Sequence, residues 1–249
     1  MDINGKKIVK IIALIFLLGP ILSLANQTLK QITTHQSMDY HVNWSPDGNT
    51  LAFTSQRDGE PGIWLVPALG GTPVKLRTGL KGDHHISWNP DGSTIVFDAS
   101  PNGPPHIFTV PIRGGSPKKL SLENTPDFHP SWSPDGKTIA FASNRKGNYD
   151  IWIVPTEGGD PTPLTVHISN DDHVAWSPDG TRIAFMSERS GKRDIWIMSI
   201  SDKKPIRFTE KSDNSWPNWS PDGKKIAFVS TRSGNMDIWI KELNSIIRD

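Results

Sequence analysis

The stretch DFHPSWSPDGKTIAFAS, Asp127 to Ser143, decides the fold, because the chain writes it five times. The near-copies are DYHVNWSPDGNTLAFTS from Asp39, DHHISWNPDGSTIVFDA from Asp83, DDHVAWSPDGTRIAFMS from Asp171 and NSWPNWSPDGKKIAFVS from Asn214. Their central tryptophans are Trp44, Trp88, Trp132, Trp176 and Trp219, spaced 44, 44, 44 and 43 residues apart. A period of that size, with four short strand patterns in each unit, is the signature of propeller blades.

The third unit parses as follows. Phe128 to Trp132 reads as an inner strand a, and Ser133-Pro134-Asp135-Gly136 as a turn. In that turn Pro presets φ, Asp caps its own backbone and Gly takes the left-handed position. Strand b follows over Thr138 to Ser143, strand c over Asp150 to Val154 around Trp152, and strand d over Thr162 to Thr165. Apart from the N-terminus, no segment carries a helical period. With 21 Gly and 21 Pro, the composition suits many short strands joined by tight turns. The chain has no cysteine, which excludes a disulfide framework and a thiolate metal site.

The two ends suggest a closure. The fifth unit has strands a, b and c, with Trp239 in c, but no strand d. Ile32 sits 12 residues before Trp44, as Leu76, Leu120 and Leu164 sit before their own tryptophans. The expectation is an all-β propeller of five four-stranded blades, the last closed by an N-terminal strand over 28–33.

Residues 1–25 read as a secretory leader. Lys6, Lys7 and Lys10 precede an apolar run from Ile11 to Leu24, and Ser23-Leu24-Ala25 fits a cleavage site. The mature chain is then 26–249, periplasmic or secreted and without a membrane span. Losing those three lysines and Asp2 leaves 24 basic and 25 acidic residues, a net charge of −1. Without a basic run, nucleic acid is not an expected partner.

The W-[SN]-P-D-G-x-x-[IL]-[AV]-F unit, with its D-I-W-like strand and G-G turn, resembles the TolB-type, WD40-like β-propeller repeat. The resemblance covers 26–249. It implies a propeller that acts through protein contacts at the cell envelope. TolB itself has six blades and an extra N-terminal domain, whereas these residues account for five blades.

Most recurring residues have a structural explanation. The strand-a tryptophans, and Trp64, Trp152, Trp196 and Trp239 with Phe108 on strand c, are expected to wedge between blades. Turn chemistry accounts for Asp47, Asp91, Asp135, Asp179 and Asp222. Arg57, Arg145, Arg189 and Arg232 are expected to bridge to Asp150, Asp194 and Asp237 across the b–c hairpin, leaving the second unit without a bridge.

One pair of columns points to a site. Three residues before each tryptophan stand His41, His85, His129, His173 and Trp216, and five before stand Asp39, Asp83, Asp127, Asp171 and Asn214. Strand alternation places both columns on one side of strand a, around a mouth of the channel. The histidines then either bond to backbone, or bind a divalent metal, an anion or a polar ligand; His41, His85, His129 and His173 are the candidate metal ligands. Trp216 could stack on a peptide side chain or a sugar. The leading reading is a monomeric, non-catalytic module binding a protein or peptide at this mouth and its loops. The alternatives are a His- or metal-dependent lyase or glycosidase acting on a polysaccharide at the same mouth, and a pure scaffold. No G-x-S-x-G or H-E-x-x-H motif is present, and four equivalent aspartates are a poor start for an acid and a base. Asp172, with no acidic counterpart in other units, is the odd one out.

Overall fold

A computed structural model describes residues 30–120 and 125–243. The leader and its cleavage site lie outside the described residues. All the blades belong to a compact unit, Ile32–Asp249. Among the described residues no helix is long and apolar enough to cross a membrane.

Five antiparallel sheets follow one another along the chain. Blade 1 holds β1 (Asp39–Trp44), β2 (Thr50–Ser55), β3 (Gly62–Pro67) and β4 (Val74–Lys75). Blade 2 holds β5 (His84–Trp88), β6 (Thr94–Ala99), β7 (His106–Pro111) and β8 (Lys118–Lys119). Blade 3 holds β9 (Asp127–Trp132), β10 (Thr138–Ser143), β11 (Asp150–Pro155) and β12 (Thr162–Pro163). Blade 4 holds β13 (Asp171–Trp176), β14 (Arg182–Ser187), β15 (Asp194–Ser199) and β16 (Pro205–Arg207). Blade 5 holds β17 (Asn214–Trp219), β18 (Lys225–Ser230) and β19 (Asp237–Glu242).

The turn chemistry is as the sequence reads. In blade 3, Ser133 Oγ donates to Asp135 Oδ1 at 2.6 Å, and Lys137 N donates to the same oxygen at 3.0 Å. Gly136 sits at φ 70°, which costs a residue without Cβ nothing. The strand-b residues Phe97, Phe141, Phe185 and Phe228 fill the sheet interfaces, each 2% exposed or less. Strand-a tryptophans lock neighbouring blades. The indole N–H groups of Trp88, Trp176 and Trp219 donate to the carbonyls of Asn43, Ser131 and Ala175 in the preceding blade, at 3.2–3.3 Å.

Closure by an N-terminal strand is not found. The fifth sheet is three-stranded, in the order β17-β18-β19. Of the segment 28–33, residues 30–33 are described and form no strand, while 28 and 29 lie outside the described residues. Ile32 instead packs, partly buried, on the first blade's cluster of Leu51, Phe53 and Val66. The consequence is an open flank. Ile238 and Ile240 on β19 are 78% and 66% exposed, against 0% and 2% for Ile195 and Ile197 at the same places on β15. Trp44 is 59% exposed, whereas Trp88, Trp132 and Trp219 are buried.

The arginines also behave differently from expectation. Arg57, Arg145 and Arg189 pair with strand a, through Asp39, Asp127 and Asp171 at 2.9, 3.0 and 2.6 Å. Arg232 donates to Asn214 Oδ1 at 2.9 Å. The reason lies in register: Asp39 faces Ser55 and Asp127 faces Ser143, so the first residue of strand a lies beside the arginine that follows strand b. On strand c, Asp150 and Asp194 accept hydrogen bonds from the hydroxyls of Thr165 and Thr209, which follow β12 and β16, and Asp194 also pairs with Arg207 at 2.6 Å. The strand-c tryptophans serve these clasps as well as the core. Each guanidinium lies over two rings of its own blade, for Arg145 Phe141 at 5.4 Å and Trp152 at 4.8 Å. Blade 2 has Pro101 in place of the arginine and lacks the clasp, as the sequence suggests.

Candidate functional site: an arc of imidazoles at the channel mouth

Each inner strand carries a bulge at the histidine column. Register shifts between Tyr40 and Asn43 in β1, and at the matching places in β5, β9, β13 and β17. The bulged residues take left-handed backbone angles: φ is 51° at His41, 41° at His85, 52° at His129 and His173, and 50° at Trp216. Histidine is among the side chains enriched in that region, which gives the recurring residue a backbone role as well. The bulge breaks simple alternation, so the two columns do not share one side of the strand. Asp83, Asp127, Asp171 and Asn214 are buried, and Asp39 is held by Arg57. None of these five lines the mouth cavity; they belong to the clasps, or in Asp83's case to a hydrogen bond from Thr78 Oγ1 at 2.8 Å.

The other column does assemble. Ring centroids run 4.3 Å from His41 to His85, 4.1 Å from His85 to His129, and 3.9 Å from His129 to His173. Trp216 continues the row 5.5 Å from His173 and is 49% exposed. All five line a cavity of about 410 Å³ along the channel. His84, whose ring lies 6.1 Å from His41, extends the cluster on its outer side.

Two carboxylates outside the repeat pattern hold this row. Asp98 Oδ1 lies 2.8 Å from His85 Nδ1 and accepts the backbone N–H of His129 at 3.2 Å. Asp172 Oδ1 lies 2.7 Å from His129 Nδ1 and accepts the backbone N–H of His173 at 2.6 Å. Each acid thus ties one blade to the next. A neutral imidazole that donates from Nδ1 keeps Nε2 as an acceptor. Burial pushes the His173 imidazole down to about 4, against the opposing pull of Asp172, so the ring is neutral at neutral pH. Burial works to raise the Asp172 carboxyl, but the His129 hydrogen bond and the neighbouring imidazoles prevail and hold it below its ordinary value.

Sequence reasoning noticed Asp172 only as an oddity, and missed Asp98 and His84. A signal existed for both acids. Asp98 stands where the other strand b copies have Thr54, Ala142, Met186 and Val229, and Asp172 where they have Tyr40, His84, Phe128 and Ser215. An acid that departs from its column, on a strand that borders the histidines, is the mark to look for.

The chain matches the family described as the TolB beta propeller domain over residues 74–186 and 125–247. It is similar to the structure of a putative TolB from Agrobacterium tumefaciens, with a TM-score of 0.79 and 26% identity over 86% of this chain and 80% of that one. It is also similar to TolB from Acinetobacter baumannii, with a TM-score of 0.78 and 26% identity over 87% of this chain and 54% of that one. Repeat, blade geometry and these matches agree: the chain belongs to the TolB β-propeller family.

Proposed function

We propose that the chain is a binding module that holds a protein or peptide segment at the channel mouth, in the periplasm or outside the cell. The observation that carries this reading is the continuous row of rings from His41 to Trp216 over one cavity. The imidazoles stand ring against ring at 3.9–4.3 Å, His85 and His129 with Nδ1 held by a carboxylate offer Nε2 as acceptors, and Trp216 offers a flat apolar face at the end of the row. Such a surface suits an extended segment with donors and one aromatic or aliphatic anchor. Its cost in conformational freedom on binding is small, because the acids Asp98 and Asp172 already hold two of the rings. The secretory leader read from residues 1–25 and the family membership support the location.

The test is selection of a displayed random-peptide library on the immobilised protein. Enriched peptides should bind at least tenfold more weakly to Trp216→Ala, and to His41→Ala, than to the parent. Enriched peptides that bind all three proteins equally would move the site away from the mouth, and no enrichment over a blank surface would count against peptide recognition.

A further inference from the structure

Asp172 does more than join blades 3 and 4. Its carboxylate lies between two imidazoles, with Oδ1 2.7 Å from His129 Nδ1 and Oδ2 3.4 Å from His173 Nδ1. One donor atom from each of the three residues lies within 4.8 Å of the others. His173 Nδ1 is buried and makes no hydrogen bond, although Asp172 Oδ2 stands 3.4 Å away. A buried ring nitrogen left without a partner beside a carboxylate is a costly arrangement for a purely structural contact. His41 and His85 contribute no donor atom to this group.

We propose that His129, Asp172 and His173 form a binding site for one divalent transition-metal ion, of which Zn²⁺ is the best fit. Two imidazole nitrogens and one carboxylate oxygen are a ligand set that zinc accepts, with a fourth position left to solvent. The distances are within reach. Zinc–ligand bonds of about 2.0–2.1 Å place tetrahedral neighbours about 3.3 Å apart. Asp172 Oδ2, at 3.4 Å from His173 Nδ1, already fits, Oδ1, at 2.7 Å from His129 Nδ1, must open if it is the ligand oxygen instead, and separations within the three-atom group close by at most about 1.5 Å. Rotation of the His173 ring supplies this motion. That ring is now stacked on His129 at 26° between planes, and a metal must lie in the plane of each imidazole it binds. Binding therefore unstacks the pair, and His129 gives up its Nδ1 proton to Nε2 or to solvent. The proposal does not rest on the partner reading, since the ion needs only side chains of this chain.

The experiment uses the untagged chain, stripped with a chelator and titrated calorimetrically with Zn²⁺, then with Mn²⁺ and Ca²⁺. One Zn²⁺ should bind per chain, at least tenfold more tightly than either oxygen-preferring ion. Asp172→Asn keeps the shape of the side chain and should weaken Zn²⁺ at least tenfold, while His41→Ala should leave it unchanged. In the parent protein, Zn²⁺ should move the ring resonances of His129 and His173 and leave those of His41 in place, a readout that needs no variant to fold. Absence of stoichiometric Zn²⁺ binding would overturn the site. So would binding that survives Asp172→Asn but disappears in His41→Ala, because the ion would then belong to the row of histidines instead.

Discussion

Asp83 shows how much one missing side chain decides. In blades 1, 3 and 4 the first aspartate of strand a meets an arginine, whereas in blade 2 Pro101 stands in its place and Asp83 is 1% exposed, with Thr78 its one side-chain hydrogen-bond donor among the described residues. Burial pushes its carboxyl from 3.8 up to about 6. A folded carboxyl raised in this way costs nothing below the unfolded value, and the penalty grows as pH rises through 4 to 6. The difference of about two units corresponds to roughly 3 kcal/mol. Asp83→Asn should therefore gain on the parent by up to about that amount between pH 4 and pH 8, measured by urea unfolding at both pH values. A gap that is the same at pH 4 and pH 8 would mean that no charge is being buried. The loss of the arginine in the second unit is visible in the alignment of the repeats, but from sequence it is set against the strand-c position of His106, which leaves Asp83 among the mouth residues.

The inner strand is the element that carries the site, and its bulge is the feature that shapes it. His41 offers the cleanest test, because it is exposed and its φ is 51°. A β-branched residue in the left-handed region costs about 1–2 kcal/mol, and glycine pays no such penalty. His41→Val should lower stability by about that amount relative to His41→Gly, as read from denaturant midpoints. Equal midpoints for the two variants would mean that the bulge relaxes freely in solution. Strand positions, turns and the inner tryptophans could be read along the chain because each depends on near neighbours. The bulge could not, since an extra residue in a strand leaves the apolar pattern intact while turning the following side chains over. That is why Asp39, Asp83, Asp127, Asp171 and Asn214 read as mouth residues and prove to lie elsewhere.

At the scale of the whole propeller unit, three of the four blade interfaces carry the indole-to-carbonyl bond, and among the described residues Trp44 at one end of the series and Ile238 and Ile240 at the other are exposed. Ile195 and Ile238 occupy the same place in blades 4 and 5, one fully buried and the other 78% exposed. Truncating a buried isoleucine to alanine costs about 2–5 kcal/mol, and truncating an exposed one costs well under 1 kcal/mol. Thermal and urea unfolding of Ile195→Ala and Ile238→Ala should show that contrast. If Ile238→Ala is as costly as Ile195→Ala, the β19 face is covered in solution.

The sequence by itself determined the blade count, the order of strands, the turn chemistry and the row of ring side chains at one column. These follow from a 44-residue period, from alternation and from the φ preferences of Pro, Asp and Gly, all of which act over a few residues. Only the tertiary structure decided which acids serve the histidines, which face the arginines, and that the fifth blade keeps three strands. Asp98 meets the backbone of His129 across 31 positions, and Asp172 meets its ring across 43. Contacts of that range depend on how one blade rotates against the next, and a one-residue bulge or a rerouted isoleucine changes them without altering the repeat.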